Sequence, residues 1–189
     1  MNKGLKLVLG LLISLTLGLS AYLAAKWPPQ GGSAPPQGTT VWQVYFSPDG
    51  GCTQAIVDEL NAARQTVLVQ AYSFTSAPVA KALVAAKKRG VRVEAILDDS
   101  NNTAKYSAAT FLLHAGIPTW IDEKHAIAHN KVMIIDDETV ITGSFNFTKA
   151  AEERNAENLL ILRDRALAAR YTANWQEHKA HSTVYQRAE

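Results

Sequence analysis

Cysteine is nearly absent: Cys52 is the only one in 189 residues, so no intramolecular disulfide can staple this chain and a core must do that work. An excess of one charge is missing as well. Lys3, Lys6 and Lys26 are the only basic residues before position 41, and all seventeen acidic residues come after it, so residues 41–189 set sixteen Lys and Arg against seventeen Asp and Glu. The formal charge of +2 therefore belongs to the N-terminal segment. That balance gives no general pull on a polyanion, and any nucleic-acid contact has to come from local patches. There is no internal repeat, and the pattern His-x-Lys occurs once, at His129 and Lys131.

What is present begins with a leader. Lys3 and Lys6 precede an apolar run, residues 7–25, that holds no charge before Lys26. A basic start and a hydrophobic centre have the form of an export signal, and the run also reaches the lower end of the length of a membrane span, about 17–25 residues. Two readings of residues 1–26 stay open: a signal peptide, with Gly18 and Ser20 marking cleavage before Ala21, or an uncleaved anchor. In both, the lysines stay cytoplasmic and the remainder is exported, to the periplasm or beyond, and in the second it is tethered in the inner membrane. Residues 27–40 form a linker with Pro28-Pro29, Gly31-Gly32 and Pro35-Pro36, which cannot build a core and serves as a tether.

Residues 41–189 are long enough for one domain with a single core. Strand patterns at 41–46, 66–72, 91–97, 117–121 and 158–162 alternate with helix patterns at 53–64, 77–89, 104–115, 149–154 and 164–179. Thr53 and Ser76 are candidate caps, Pro78 falls in a first turn, and Gly90 and Gly116 end helices. Alternation of this kind predicts an α/β domain with a mostly parallel sheet flanked by helices on both faces. A hairpin at 132–142 makes the sheet mixed.

That hairpin carries the chemistry. The apolar, β-branched run Val132-Met133-Ile134-Ile135 meets the polar turn Asp136-Asp137-Glu138 and then a second short strand, 139–142. Residues two apart on a strand share a face, so His129 and Lys131 project together while Val132 and Ile134 point to the other side. Gly143-Ser144-Phe145-Asn146 follows as a glycine-started loop presenting a hydroxyl and an amide two residues apart. An imidazole, an ammonium and two neutral donors suit a tetrahedral phosphate: Lys131 supplies charge, Ser144 and Asn146 donate to oxygen, and His129 attacks or protonates. Taken singly, each of these residues is ordinary surface or turn, and only their joint spacing carries the reading.

His129, Lys131, Asp136, Gly143, Ser144 and Asn146, with Phe147-Thr148, Asn155 and Glu157-Asn158 downstream, resemble the signature of the phospholipase D superfamily, especially its small single-motif bacterial endonucleases. The resemblance runs from residue 41 to about 178. It implies a phospholipase D-like fold and a double displacement in which one histidine attacks phosphorus while a second protonates the leaving oxygen. Because this chain has one motif copy, it also implies a homodimer whose two-fold axis brings two His129 side chains into one shared site. One imidazole must be neutral and the other protonated, so a single proton shared by the pair is the expected state. Both Lys131 ammonium groups offset phosphoryl charge. Glu157 matches the family position that accepts a hydrogen bond from the histidine ring, and it joins His129, Lys131 and Asp136 in the expected catalytic set. Strand alternation puts Asp136 off the face of His129 and Lys131, in a turn or supporting role. The competing arrangement is a monomer using His125 or His114 as the acid.

No cofactor and no metal are expected. His125 and His129 are four apart, but residues 126–128 lead into a strand and no third ligand stands nearby in sequence. Cys52 reads as an inert small residue near a helix start. Lys87-Lys88-Arg89 with Arg92 would suit a polyanion backbone or simply complement a helix dipole. Leu167, Tyr171 and Trp175 form a helical stripe typical of core, and Trp120 and Phe145 are expected to pack. Together these readings predict a metal-independent phosphodiesterase, a nonspecific endonuclease hydrolysing DNA with RNA left open. A phospholipase D-type lipid hydrolase and a catalytically silent nucleic-acid-binding module are the alternatives.

Overall fold

The computed structural model describes residues 41–103 and 108–186. The leader at 1–26, the linker at 27–40 and the first four residues of the helix expected at 104–115 lie outside the described residues. The elements are β1 (Val41–Ser47), α1 (Cys52–Ala62), β2 (Thr66–Ala71), α2 (Ala77–Lys88), β3 (Arg92–Asp98), α3 (Ser100–Thr103), α4 (Ala108–His114), β4 (Thr119–Asp122), β5 (Lys131–Ile135), β6 (Thr139–Gly143), α5 (Lys149–Glu153), β7 (Glu157–Arg163), α6 (Arg165–His181) and β8 (Thr183–Val184). Among the described residues no helix is long and apolar enough to cross a membrane.

One eight-stranded sheet runs in the order β1-β7-β6-β5-β2-β3-β4-β8. It is mixed, as expected, but the parallel share is smaller than the alternating pattern suggested. Only β2 with β3 and β3 with β4 pair parallel, and the other five pairings are antiparallel. The reason lies in the second half of the chain, where β5 and β6 form a hairpin and β7, reached through residues 144–156 and α5, runs back antiparallel beside β6. β1 then pairs with β7 along its whole length, from Val41 opposite Arg163 to Ser47 opposite Glu157.

Helices cover both faces because every central strand is apolar on both. On one side Val67, Val69, Val93, Met133, Ile141 and Ile161 pack against Ile56 and Leu60 of α1, Val79 and Leu83 of α2 and Leu112 of α4. On the other, Leu68, Ile96, Val132, Ile134 and Val140 receive Ala168 and Trp175 of α6, with Leu167, Tyr171 and Trp120 at the margin. Each large side chain so buried contributes about 1.5–3 kcal/mol. Trp175 also donates its indole N–H to the Val69 carbonyl at 2.9 Å, which fixes α6 on the sheet without leaving a buried donor unmet.

Local capping follows the sequence in part. Asp164 accepts from the Leu167 amide at 3.0 Å and Thr148 from the Ala151 amide at 3.1 Å. Thr53 does not cap α1: Gly51 occupies the cap position at φ 80°, and the Glu152 carboxylate reaches in from a distant segment to accept from the Gly51 and Thr53 amides at 3.1 and 2.7 Å. A carboxylate meets orphan amides and the positive end of the helix dipole together, which a threonine hydroxyl cannot do. Ser76 holds the cap position of α2 with no side-chain bond, and Pro78 lies in its first turn.

Candidate active site

The register of the sheet gathers one rim. Lys131 opens β5 opposite Ala71, the last residue of β2, and the C-terminal ends of the parallel strands β3 and β4 lie alongside. β6 runs antiparallel to β5, so Gly143 and its loop leave at this same rim, and Glu157 begins β7 there. Carboxyl ends of parallel strands are where open α/β sheets bind ligands, because the loops leaving them have no further strand to feed.

Along β5 the side chains alternate as expected: Met133 and Ile135 enter the core beneath α1 and α2, while Val132 and Ile134 enter the core beneath α6. Lys131 shares the face of Met133 and is buried, and its ammonium donates to the His129 carbonyl at 2.8 Å. The Tyr72 ring fills the angle between the two residues, 5.0 Å from the Lys131 nitrogen and 4.7 Å from the His129 ring centre. Burial pushes the Lys131 ammonium below the usual lysine range, and the carboxylates of Glu157 and Asp98 oppose that shift without cancelling it. His129 itself is exposed at the rim.

The segment that delivers His129 is held by Asp98. This buried carboxylate ends β3 and accepts from the Ala128 amide at 2.7 Å, and from the Ser100 amide and hydroxyl at 3.0 and 2.6 Å. Neither Tyr72 nor Asp98 figured in the sequence reading. The available signal was position, since each lies at the C-terminal end of a strand in the parallel part of the sheet.

Beyond β6, Gly143 adopts φ 144°, and a Cβ there would stand 2.2 Å from the Asn158 carbonyl oxygen. That close approach is what lets the Ser144 and Phe145 amides donate to the same carbonyl at 3.1 and 3.2 Å. The Asn158 amide in turn donates to the Ser144 hydroxyl oxygen at 3.1 Å. Phe145 and Phe147 are fully buried and pin the loop from below. The side-chain oxygen of Asn146 is buried with no hydrogen-bond partner among the described residues, so this amide retains capacity for a ligand.

Two members of the expected catalytic set are placed differently. Asp136 stands at the opposite end of β5, on the order of 16 Å from Lys131 at strand rise, at φ 54°. Its carboxylate accepts from the Arg64, Gln65 and Thr66 amides at 2.9, 2.8 and 2.9 Å and so ties the hairpin turn to the start of β2. It is a backbone clamp at the end of the sheet away from His129 and Lys131. Glu157 does lie at the rim, but it accepts from the Asn155 side-chain amide at 3.1 Å rather than from the His129 ring.

The remaining candidates are structural. The Cys52 thiol is buried and pushed up to about 11, by burial first and then by the Glu152 carboxylate. Arg89 donates to the Leu60 and Ala63 carbonyls at 2.7 and 3.3 Å, and Lys87 to the Gly116 carbonyl, so two of the three basic residues ending α2 are used in packing. Trp120 meets Trp175 edge to face at 6.3 Å.

An exposed imidazole, a buried ammonium and a glycine-started Ser-x-Asn loop on one rim of a mixed sheet define an α/β domain built for phosphoryl transfer. Residues 56–179 match the family described as "Cardiolipin synthase, PLD-like domain", and the chain belongs to this phospholipase D-like family of phosphodiesterases. It is 47% identical over 135 residues to a protein of Rickettsia felis named phospholipase D, covering 71% of this chain and 68% of that one. Among solved structures it is similar to Nuc, a phospholipase D family member from Salmonella typhimurium, with a TM-score of 0.75 and 39% identity over 78% of this chain and 99% of that chain. NucT from Helicobacter pylori gives a TM-score of 0.72 at 25% identity, over 77% and 99% of the two chains.

Proposed function

We propose that this protein is a metal-independent endonuclease that hydrolyses DNA through a phosphohistidine intermediate in a site shared by two subunits. The observation that carries this reading is a rim holding half of a double-displacement site: one exposed His129 beside one buried Lys131. Neutral His129 attacks phosphorus and a P–N bond forms as the P–O bond to the leaving nucleoside breaks. Protonated His129 of the partner subunit gives its proton to that leaving oxygen, then takes one from the water that cleaves the P–N bond. Lys131 from both subunits, with Ser144 and Asn146, offsets charge on the phosphoryl oxygens. Glu157 is the carboxylate available to orient an imidazole once the dimer forms. Ile127 is more than half exposed two residues from His129, the kind of apolar surface a second copy would cover.

Nucleic acid is preferred to lipid as substrate because the domain covers 99% of the compact Nuc and NucT chains and its motif resembles that of the small single-motif endonucleases. The relatives named phospholipase D favour the lipid reading instead, and the leader at 1–26 would hold the domain near either a membrane or an exported substrate.

The test is digestion of plasmid DNA by the purified chain in excess EDTA, beside His129→Ala, with circular dichroism confirming that both stay folded in that buffer. Degradation by the wild type alone supports the proposal. Intact DNA in both, with release of headgroup from cardiolipin vesicles by the wild type, replaces it with the lipid hydrolase. Sedimentation of the active protein should show a dimer, and an active monomer would sink the shared site.

A further inference from the structure

At the same rim, three histidines from two distant segments of the chain converge on one carboxylate. Asp122 ends β4 and its side chain is fully buried. His178 Nδ1 lies 2.7 Å from Asp122 Oδ2, His125 Nδ1 lies 3.0 Å from it, and His181 Nε2 lies 3.3 Å from it. The three rings crowd together, with His125 stacked on His178 at 4.8 Å and each 5.2 Å from His181. One ligand atom from each of the four residues falls within 4.8 Å of the others. A tetrahedral ion with bonds of about 2.0–2.1 Å requires ligand atoms on the order of 3.4 Å apart, so small side-chain rotations close the set around an ion. His125, with 44% of its side chain exposed, has room to make them and leaves a path for entry.

We propose that Asp122, His125, His178 and His181 form a zinc site. Three imidazoles and one carboxylate supply the borderline donors that Zn²⁺ selects, and they number four, which fills a tetrahedron and leaves no position for water or substrate. The site is therefore structural rather than catalytic and leaves the chemistry at His129 metal-free. Asp122 already accepts from the Lys124 and His125 amides at 3.2 and 3.4 Å, so three imidazoles besides bring five donors to a carboxylate with about four acceptor sites. A divalent ion uses all four groups at once and replaces the protons that would otherwise be shared among three adjacent rings. The ligands come from the end of β4, from the segment leading to His129, and from the last turns of α6. Bound zinc would join the C-terminal helix to the segment that delivers His129, four residues beyond His125. The sequence pairs His125 with His129 at helical spacing, and the fold supplies different partners for it.

The test uses metal content and melting, not cleavage, so it stands apart from the nuclease proposal. The purified chain, stripped with a chelator, is titrated with Zn²⁺ and, in parallel, with Co²⁺. The expected result is one Zn²⁺ per chain, a strong tetrahedral Co²⁺ absorption band, and a rise in melting temperature of roughly 5–10 °C when zinc is a hundredfold above Kd. His125→Gln keeps an amide that can donate to Asp122 at a partly exposed position, so its zinc-free form should melt within a few degrees of wild type. Its zinc affinity should fall by more than the roughly 10–100-fold typical of an outer-shell loss, and most of the zinc-dependent rise should disappear. His178→Gln should behave the same way toward zinc, and His114→Gln, outside the cluster, should bind like wild type. Uptake near zero with an unmoved melting temperature would overturn the site, as would zinc retained at wild-type affinity in both His125→Gln and His178→Gln.

Discussion

Replacing Asp136 separates support from chemistry, because the residue belongs to the family signature and yet sits at the far end of β5 from Lys131. Its Oδ1 accepts from the Gln65 and Thr66 amides and its Oδ2 from the Arg64 amide, partly in solvent. In Asp136→Asn one oxygen remains for Gln65 and Thr66, while an NH₂ group faces the Arg64 N–H donor to donor. Asparagine tolerates the left-handed backbone at φ 54°, so the loss is one charge-assisted bond discounted for exposure, about 1–2 kcal/mol. Asp136→Ala loses all three accepted bonds and leaves three backbone amides without a protein partner, for a total of about 3–5 kcal/mol. For a domain of this size a kilocalorie shifts the melting temperature by about 2–4 °C. Asp136→Asn should therefore melt roughly 2–8 °C lower and Asp136→Ala roughly 6–20 °C lower. The assay is thermal unfolding beside cleavage rate at 20 °C, with both variants held well below their melting points. Rates within about threefold of wild type are expected. A hundredfold loss of rate in Asp136→Asn with an unchanged melting temperature would refute the clamp and return Asp136 to the chemistry.

Four further outcomes follow. Lys131 is protonated less readily than an ordinary lysine, so kcat/KM should fall on the alkaline side below pH ~10.4, where a solvent-exposed lysine would titrate. Lys131→Arg, which stays charged, should lose that limb while running more slowly, and an unmoved limb would exclude Lys131 as its source. The same shift means that the unfolded chain holds this proton more tightly. Stability should then rise with pH from the folded-state value up to about 10.4, the opposite of a lysine gaining a partner. Cys52 should react with a soluble thiol reagent at pH 7.5 only as fast as the protein unfolds, and rapid labelling of the native state would contradict its burial and raised pKa. Gly143→Ala must move the Asn158 carbonyl or the loop, at about 2–4 kcal/mol. Activity should fall with it because Ser144 and Asn146 ride on that loop, and a fully active, equally stable variant would contradict the contact.

How much was legible can be read from particular elements. The hairpin at 132–142 was plain because its β-branched runs and polar turn are local, and β5 and β6 fall on it nearly residue for residue. The start of α1 was misread because its cap, Glu152, comes from about a hundred residues away. β8 went unseen because two exposed residues, Thr183 and Val184, carry no pattern and become a strand only by lying against β4. The sheet's mostly antiparallel character was hidden because strand signals carry no direction.

Alone, the sequence determined the element types, the family and the joint spacing of His129, Lys131, Ser144 and Asn146, because periodicity and fixed spacing are properties of neighbours along the chain. Only the tertiary structure decided that Asp136 clamps a turn, that Tyr72 and Asp98 brace the histidine segment, and that His125 meets Asp122, His178 and His181. Those groups are brought together by strand order and by the packing of α6, long-range choices set by the burial of whole faces, which no local pattern encodes.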